Sequence, residues 1–349
     1  MLLYMSVFLF FLFLNIFFQK KLSLYSVFIL CTFLFVFAGA RKLGSSLDDL
    51  NYFYSLYYHN ASFEYLYTQV EILNGYLFGG SISGQFLIIS FLSMLFLFIS
   101  LTHYKNIAPW SILIYMSHIF LYRDMIQIRA AVAYNIVLWA FVLISDKNSI
   151  IRSMSLFLTA AGFHISSCFA YIVFFLKRDV LTLKKYVIFL IITLPFAIFI
   201  DISFLFTLVM PYLPEYFSAA LNTYVLDDGG FTYSMGVLNP TTIKTIIFCL
   251  IILYNKERLT NFFGNAFFIN IYALSSFILI VFNDYAVFSS RMASMFSSVE
   301  IFLVPAIVFA LPKKKKIAYS IFFIMTYAVI FSLNIFSKCM LCEYNLDLF

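Results

Sequence analysis

Apolar runs of about 20 residues, the length an α-helix needs to cross a bilayer, recur along this chain with short clusters of basic residues between them. Inside a membrane each backbone polar group must be satisfied by the segment itself, which favours helices. Charged residues are 11% of the 349 residues and hydrophobic residues 64%, whereas a soluble domain carries roughly 25% charged residues. The sequence therefore predicts an all-α, polytopic integral membrane protein.

We expect one membrane domain over residues 1–349, with about 11–12 membrane-crossing helical segments by the length of the apolar runs. The first run is followed, and not preceded, by Lys20 and Lys21, which favours a retained helix over a cleaved signal peptide. The candidate spans are 2–18, 22–40, 84–102, 107–122, 129–145, 154–176, 186–202, 241–254, 262–282, 292–311 and 317–336.

The basic clusters predict the orientation, because cytoplasmic loops of membrane proteins are enriched in lysine and arginine. Simple alternation of the spans fails at 154–176, since one crossing there would put the cluster from Lys177 to Lys185 outside. If 154–176 is instead two half-spans that meet near His164, 15 of the 22 lysines and arginines lie in the cytoplasm. The alternative is one full crossing at 154–176 with a missed helix elsewhere.

Under this topology two large polar loops, at about 41–83 and 203–240, lie outside. The stretch SFEYLYTQVEILNGYLF in the first loop has apolar residues at near-helical spacing, which predicts an amphipathic helix on the membrane. The second loop is rich in Tyr, Asp and Gly. Aromatic and carboxylate side chains together suit sugars, although tyrosines at a membrane surface also serve as interfacial anchors.

Four arginines fall at the outer ends of spans, against the orientation rule: Arg41, Arg123, Arg129 and Arg291. The guanidinium group has a permanent charge and a planar fork of donors, which suit a diphosphate. The alternative is that each side chain extends to phosphates of the outer leaflet. Because four arginines share one face, the sequence predicts that they bind a common diphosphate.

His164 lies at the predicted break, where an imidazole can deprotonate a hydroxyl or donate to a phosphate; the alternative is a histidine satisfied within the core. The outside carboxylates Asp49, Glu64 and Asp228 are candidates for a general base, and we select Asp49 and Asp228 with His164 as candidate catalytic residues. The intramembrane Glu300 is either functional or the partner of a basic group. The sequence has no metal-ligand cluster or phosphate-binding glycine loop, so no metal or other cofactor is expected.

Four segments resemble motifs of the EpsG-like and Wzy-type polysaccharide polymerases. FAGARKLGSSLDDLNYFYSLYY is similar to their R-x-x-G-x-D-x-x-x-Y segment, and DMIQIRAAVAYNIVLWAF to their arginine motif at a loop-to-helix boundary. TAAGFHISSCFAYIVFFL resembles their A-x-x-F-H-x-S-A segment, and SSRMASMFSSVEIFLVPAIV their late arginine-bearing helix. The wider spacing after Gly44 leaves Asp48 or Asp49 as the matching acid, and Ser167 stands where the family often has Ala.

The resemblance implies a bacterial inner-membrane enzyme, active at the periplasmic face, that joins oligosaccharide repeat units carried on undecaprenyl diphosphate. It implies a helical fold like that of the lipid-dependent glycosyltransferases and the use of neither nucleotide sugar nor metal. Arg41, Arg129, His164 and Arg291 are the residues that it carries over. The expected partners are the lipid-linked oligosaccharide, membrane lipid and a chain-length regulator protein, with no nucleic acid.

Three other functions remain as alternatives. A flippase for lipid-linked oligosaccharides would have many membrane segments, but the sequence has no internal repeat of the kind many transporters show. An O-antigen ligase uses closely related chemistry. A membrane acyltransferase would modify the same glycans.

Overall fold

Helices account for nearly all regular structure in the computed structural model. It describes residues 2–18, 24–58, 63–146, 150–176, 181–200, 202–213, 215, 218, 222, 233–336, 341, 344 and 345. Within these ranges there is no β-strand, and the one β-type contact is an isolated bridge between Ser46 and Leu341. The all-α prediction is confirmed.

The described residues of the first half form nine α-helices, a π-helical turn and a 3-10 helix. The α-helices are α1 (Leu2–Phe18), α2 (Leu24–Gly39), α3 (Asp49–Tyr58), α4 (Tyr65–Phe78), α5 (Ile82–Thr102), α6 (Ala108–Ile114), α7 (Leu121–Arg123), α8 (Ile128–Ser145) and α9 (Ile150–Phe163). The π-helical turn, Tyr115–Phe120, joins α6 to α7, and the 3-10 helix, Ile165–Phe175, follows α9. Both α3 and α4 lie in the predicted loop 41–83, and α4 confirms the helix expected there.

The second half contains α10 (Leu183–Phe199), α11 (Ser203–Val209), α12 (Pro240–Tyr254), α13 (Lys256–Phe263), α14 (Phe267–Val281), α15 (Ala286–Ser297), α16 (Glu300–Ala310) and α17 (Lys313–Phe336). Side chains cap two of these helices, α10 and α12, and so satisfy N–H groups that are unpaired at a helix start. Asn239, for example, accepts from the N–H groups of Thr241 and Thr242 before Pro240 opens α12.

Three of the described helices, α5, α8 and α17, are individually long and apolar enough to cross a membrane. The pair α15 and α16 is a fourth candidate, bent by 43°. Shorter apolar helices, among them α1, α2, α9, α12 and α14, occupy most of the other predicted spans. These helices confirm a polytopic membrane protein, while the number of crossings stays a prediction.

Two predicted spans have the wrong bounds. The predicted span 262–282 is not continuous, because α13 ends at Phe263, Gly264 follows in the left-handed conformation (φ 72°), and α14 begins only at Phe267. The predicted span 292–311 is two helices, α15 and α16. At their junction the Ser298 hydroxyl donates to the Met295 carbonyl at 2.7 Å, and such side-chain bonds compete with the helix backbone and bend it.

The chain reverses direction at His164. The helix α9 ends at Phe163, His164 is non-helical, and the 3-10 helix begins at the next residue. The Tyr171 hydroxyl donates to the Met154 carbonyl at 2.8 Å, although a continuous α-helix would separate these residues by about 25 Å. The predicted break near His164 is therefore confirmed, and the side of the membrane it faces stays a prediction.

The described chain divides into two compact units, residues 1–171 with 304–349, and residues 172–303. In the first unit, α5 packs against α2 and α8, and α8 packs against α9. Aromatic pairs mark these contacts: Phe35 with Phe91, Phe96 with Trp139, and Phe141 with Phe157. The single membrane domain stays a prediction.

Residues near the end of the chain pack beside Arg41 in the first unit. Tyr344 stacks on Phe37 with ring centroids 4.3 Å apart, and its hydroxyl donates to the Phe37 carbonyl at 2.7 Å. The Lys42 N–H donates to the Asn345 carbonyl at 2.8 Å. These contacts hold the segment that leads into the first of the predicted arginines.

A buried ion pair lies in the second unit. Lys244 of α12 donates to both carboxylate oxygens of Glu300, at 3.1 and 2.8 Å, and the Tyr272 hydroxyl donates to one of them at 2.7 Å. Glu300 is therefore the partner of a basic group, as one of its two interpretations expected.

Candidate active site

A close approach between α4 and α9 brings Glu64 and His164 together. Leu66 lies in the first turn of α4 and Gly162 in the last turn of α9, and a Cβ atom at Gly162 would be 2.7 Å from the Leu66 side chain. Only glycine leaves room for this contact. Glu64, two residues before Leu66, is thereby placed beside His164, two residues after Gly162.

The Glu64 carboxylate is the centre of the site. One of its oxygens, Oε1, is 3.1 Å from His164 Nδ1 and accepts from the Ile165 N–H at 3.0 Å, while Oε2 forms an ion pair with Arg129 Nη1. The side chain is only 7% exposed. Burial acts to raise the pKa of Glu64, but the hydrogen bond from His164 and the charges of Arg129 and His164 lower it from 4.5 to about 2. Glu64 is therefore ionised at neutral pH.

An ionised carboxylate determines the role of each imidazole nitrogen in His164. A carboxylate can only accept hydrogen bonds, so Nδ1 is the atom that carries the proton in this contact. In a neutral ring the other nitrogen, Nε2, then has the lone pair. That is the arrangement in which a histidine can act as a base.

The guanidinium group of Arg129 is held by contacts at one edge and at one face. It lies in the first turn of α8, and its guanidinium group is 3.8 Å from the centroid of the Phe63 ring and 5.9 Å from that of Tyr67. The ion pair with Glu64 fixes one edge of the same group. A planar guanidinium suits this combination of stacking and directed donation.

Tyr134 connects Arg123 to the chain reversal. Its ring lies 4.8 Å from the Arg123 guanidinium carbon and 6.2 Å from the His164 ring. The Tyr134 hydroxyl is 3.2 Å from Ser166 Oγ, and Arg123 Nη1 also donates to Gln127 Oε1. Arg123, Arg129 and His164 are thus parts of one polar cluster in the first unit.

Arg41 and Asp49 pair with each other and are fully buried, with 3.2 Å between Nη2 and Oδ1. The carboxylate also accepts from the Ser46 hydroxyl at 2.7 Å and from the Ser46 N–H at 3.0 Å. Arg41 donates to the Ala38 carbonyl at 2.7 Å and lies over the Phe86 ring at 4.0 Å. In this conformation Asp49 orients Arg41, and both side chains are enclosed; contact with a substrate stays a prediction for each.

Tyr52 of α3 is close to both Arg41 and Arg129. Burial raises the pKa of Tyr52 to about 12, and the charges of Arg129 and Arg41 act in the opposite direction. Its hydroxyl donates to the Ile126 carbonyl at 3.1 Å.

A second polar network, centred on Asp124, was missed in the sequence. Asp124 accepts from the hydroxyls of Ser93 and Tyr115, and the Asn135 side chain donates to both of those hydroxyl oxygens at 2.8 Å. Arg41 Nη1 is 3.4 Å from the Asp124 carbonyl oxygen. The sequence did contain a signal for this network: an acid next to Arg123, and a Ser and an Asn inside apolar spans. Polar groups within a membrane are usually paired with one another.

Arg291 and Asp228 are the remaining predicted site residues. Arg291 lies on α15 in the second unit and is half-buried. Asp228 lies outside the described residues. No three His, Cys, Asp or Glu side chains in the described ranges are grouped as ligands for a metal ion.

One known protein family matches nearly the whole chain. The model of the EpsG family matches residues 24–346. The chain belongs to the EpsG family. This family is related to Wzy-like polymerases, so the protein is a polysaccharide polymerase-like membrane protein, as the four motifs predicted. No curated protein and no solved structure gave a significant match, and the likeness to the lipid-dependent glycosyltransferase fold stays a prediction.

Proposed function

We propose that this EpsG-family protein is a polymerase that joins oligosaccharide repeat units carried on undecaprenyl diphosphate, at the periplasmic face of the bacterial inner membrane. O-antigen or a related polysaccharide is the product. The observation that carries the proposal is a polar cluster at a chain reversal between two apolar helices. In it the Glu64 carboxylate contacts Arg129 and His164, and Arg123 lies against the Tyr134 ring.

The proposed reaction is a glycosyl transfer. A hydroxyl of the acceptor repeat unit attacks the anomeric carbon of the donor chain, and the bond from that carbon to the diphosphate oxygen breaks. His164 takes the hydroxyl proton through Nε2, a step that contributes about 10²–10⁴-fold in rate when the base is positioned. The leaving group is the lipid diphosphate.

Arginines stabilise the charge that develops on the leaving diphosphate. Fixed cationic donors are effective in such a role because they need no reorganisation when the charge forms. Arg123 and Arg129 belong to the same cluster as His164, and we propose that Arg41 and Arg291 also bind the diphosphate. Asp49 and Asp228 are the alternative bases.

Deletion of the gene in its native host, followed by gel analysis of surface glycans, tests the function. A polymerase deletion leaves a single repeat unit on the lipid core. Bare core would indicate a ligase, and lipid-linked intermediates trapped inside the cell would indicate a flippase. Co-purification with a membrane chain-length regulator tests the proposed protein partner.

A further inference from the structure

We propose that Glu64 is a positioning residue that holds His164 in one tautomer and Arg129 in one orientation for the reaction. The proposal rests on the proposed function, in which those two side chains serve as base and as diphosphate ligand. Both carboxylate oxygens of Glu64 already accept from protein donors: Arg129 Nη1, His164 Nδ1 and the Ile165 N–H. It therefore acts through its neighbours.

The first effect of Glu64 is on the histidine. The two neutral tautomers of an imidazole differ in which nitrogen keeps the proton, and the partner of the other nitrogen selects between them. Glu64 Oε1, at 3.1 Å from Nδ1, selects the tautomer with its lone pair on Nε2. Without the carboxylate, part of the population would carry a proton on Nε2 and would be unable to accept one from a hydroxyl.

The second effect is on the orientation of the histidine ring relative to the chain reversal. Oε1 also accepts from the backbone N–H of Ile165 at 3.0 Å, so one oxygen joins the side chain of His164 to the backbone of the next residue. Because the carboxylate is almost wholly buried, water competes little for these bonds. If the ring turned away, its Nδ1 would lose Oε1, the same oxygen to which the first residue of the 3-10 helix is bonded.

The third effect is on Arg129. Phe63 covers one face of the guanidinium at 3.8 Å, and the adjacent residue, Glu64, takes one edge. Two consecutive residues thus set both the plane of the fork and its rotation within that plane. The remaining donors of the fork are directed by this arrangement, which is what recognition of a planar or tetrahedral anion requires.

The test compares Glu64→Gln and Glu64→Asp with the wild type in proteoliposomes. The substrate is the pool of lipid-linked repeat units extracted from the native host after deletion of this gene. Glu64→Gln keeps the shape of the side chain but loses the charge, and we expect kcat and kcat/KM to fall together by about 10²-fold, because a positioned base acts in the transition state. Glu64→Asp, which keeps the charge, should recover part of the rate.

Glu71→Gln is the matched control. Glu71 lies on the same helix, α4, and accepts from the Ser55 hydroxyl at 2.7 Å, so it is a comparable side chain outside the cluster. Its substitution should leave the rate within about twofold of the wild type, because the amide oxygen of glutamine can still accept from the Ser55 hydroxyl. An equal loss in the two Gln variants would overturn the proposal, because it would indicate a general effect on α4.

Nitrogen NMR of ¹⁵N-histidine-labelled protein in lipid nanodiscs gives a readout that does not depend on activity. The chain has 4 histidines, and the signals of His164 are assigned from the spectrum of His164→Asn. We expect the Nδ1–H tautomer in the wild type and in Glu71→Gln, and a mixture in Glu64→Gln.

The two readouts separate the proposal from the proposed function. A changed tautomer with an unchanged rate, or a reduced rate with an unchanged tautomer, would overturn the role of Glu64 in positioning His164. If the wild type itself makes no polymer from these repeat units, the proposed function fails. An Nδ1–H tautomer that depends on Glu64 would even then support positioning, and one that does not would overturn it.

Discussion

Nδ1 of His164 lies 3.1 Å from Oε1 of Glu64, although the two residues are 100 positions apart in the chain. The contact joins the segment before α4 to the chain reversal after α9. The same carboxylate reaches Arg129 at the start of α8. Three separate segments of the first unit thus depend on one buried acid, and substitutions in any of them should affect the same activity.

Substitution of His164 should abolish polymer without loss of the protein. In His164→Ala the proton acceptor is removed, and we expect a loss of about 10²–10⁴-fold in rate, seen as single repeat units on the lipid core in a glycan gel. His164→Gln keeps a donor but no base. Polymer made by the Gln variant alone would mean that His164 positions substrate and that Asp49 or Asp228 is the base, and normal polymer in the Ala variant would make His164 an ordinary core residue.

Lysine should not replace Arg129. The guanidinium stacks on Phe63 and donates to Glu64 at the same time, and a lysine ammonium has neither the plane nor the fork. We expect Arg129→Lys to lose about 10²-fold or more, nearly as much as Arg129→Ala, by the usual cost of a lost charge-stabilising donor. The same pattern is expected at Arg291. Near-normal polymer with lysine at both positions would favour simple charge at the membrane surface.

The approach of α4 to α9 should be sensitive to one methyl group. In Gly162→Ala the new Cβ would be 2.7 Å from Leu66, so we expect a loss of about 1–3 kcal/mol in stability from overpacking and a reduced rate as Glu64 moves from His164. Gly75, inside α4, has nothing within 4 Å of such a Cβ, and Gly75→Ala should be neutral or stabilising by up to about 1 kcal/mol. Thermal unfolding in detergent measures both, and equal behaviour of the two variants would contradict the close contact.

Acid should remove the contribution of Glu64 to stability. Its pKa is about 2 in the folded protein against 4.5 as the ordinary value. A depressed carboxyl pKa stabilises the fold fully above the unfolded value, and this stabilisation is lost as the pH falls from about 4.5 towards 2. The difference in unfolding temperature between wild type and Glu64→Gln should therefore narrow between pH 5 and pH 3. A constant difference over that range would contradict the depressed pKa.

Reporter fusions test the orientation. We expect a fusion after Leu183 to report the cytoplasm and one after Asp228 to report the periplasm, because only a reversal near His164 places all the basic clusters on one side. A periplasmic signal at Leu183 would rule out the proposed topology, even though the chain reverses at His164.

Local features of the fold were predictable from the sequence. Long apolar runs gave most helix bounds within a few residues, because a helix satisfies its own backbone and needs no distant partner. The reversal was predictable at His164 because charge bias and poor apolar-helix residues indicated the same position. The bend between α15 and α16 was missed, because it involves a serine hydroxyl bonded within one turn.

The pairing within the site was not predictable. In the sequence, Glu64 was one of three equivalent carboxylates predicted to lie outside. Its selection depends on contacts with Arg129 and His164 that span 65 and 100 residues. Asp49 was expected as a base, yet it holds Arg41 within a few residues of itself. Periodicity and charge bias describe single segments, and neither indicates which acid meets which base.

The hairpin that carries His164 is shorter than a membrane is thick. Its two arms have 14 and 11 residues, or about 21 Å of α-helix and about 22 Å of 3-10 helix, while the hydrocarbon core measures about 30 Å. A hairpin that starts at one surface therefore ends roughly 10 Å short of the other. Under the proposed function, sugars would reach its tip below the membrane surface, at a depth where they shed water and where little bulk water is present to hydrolyse the donor.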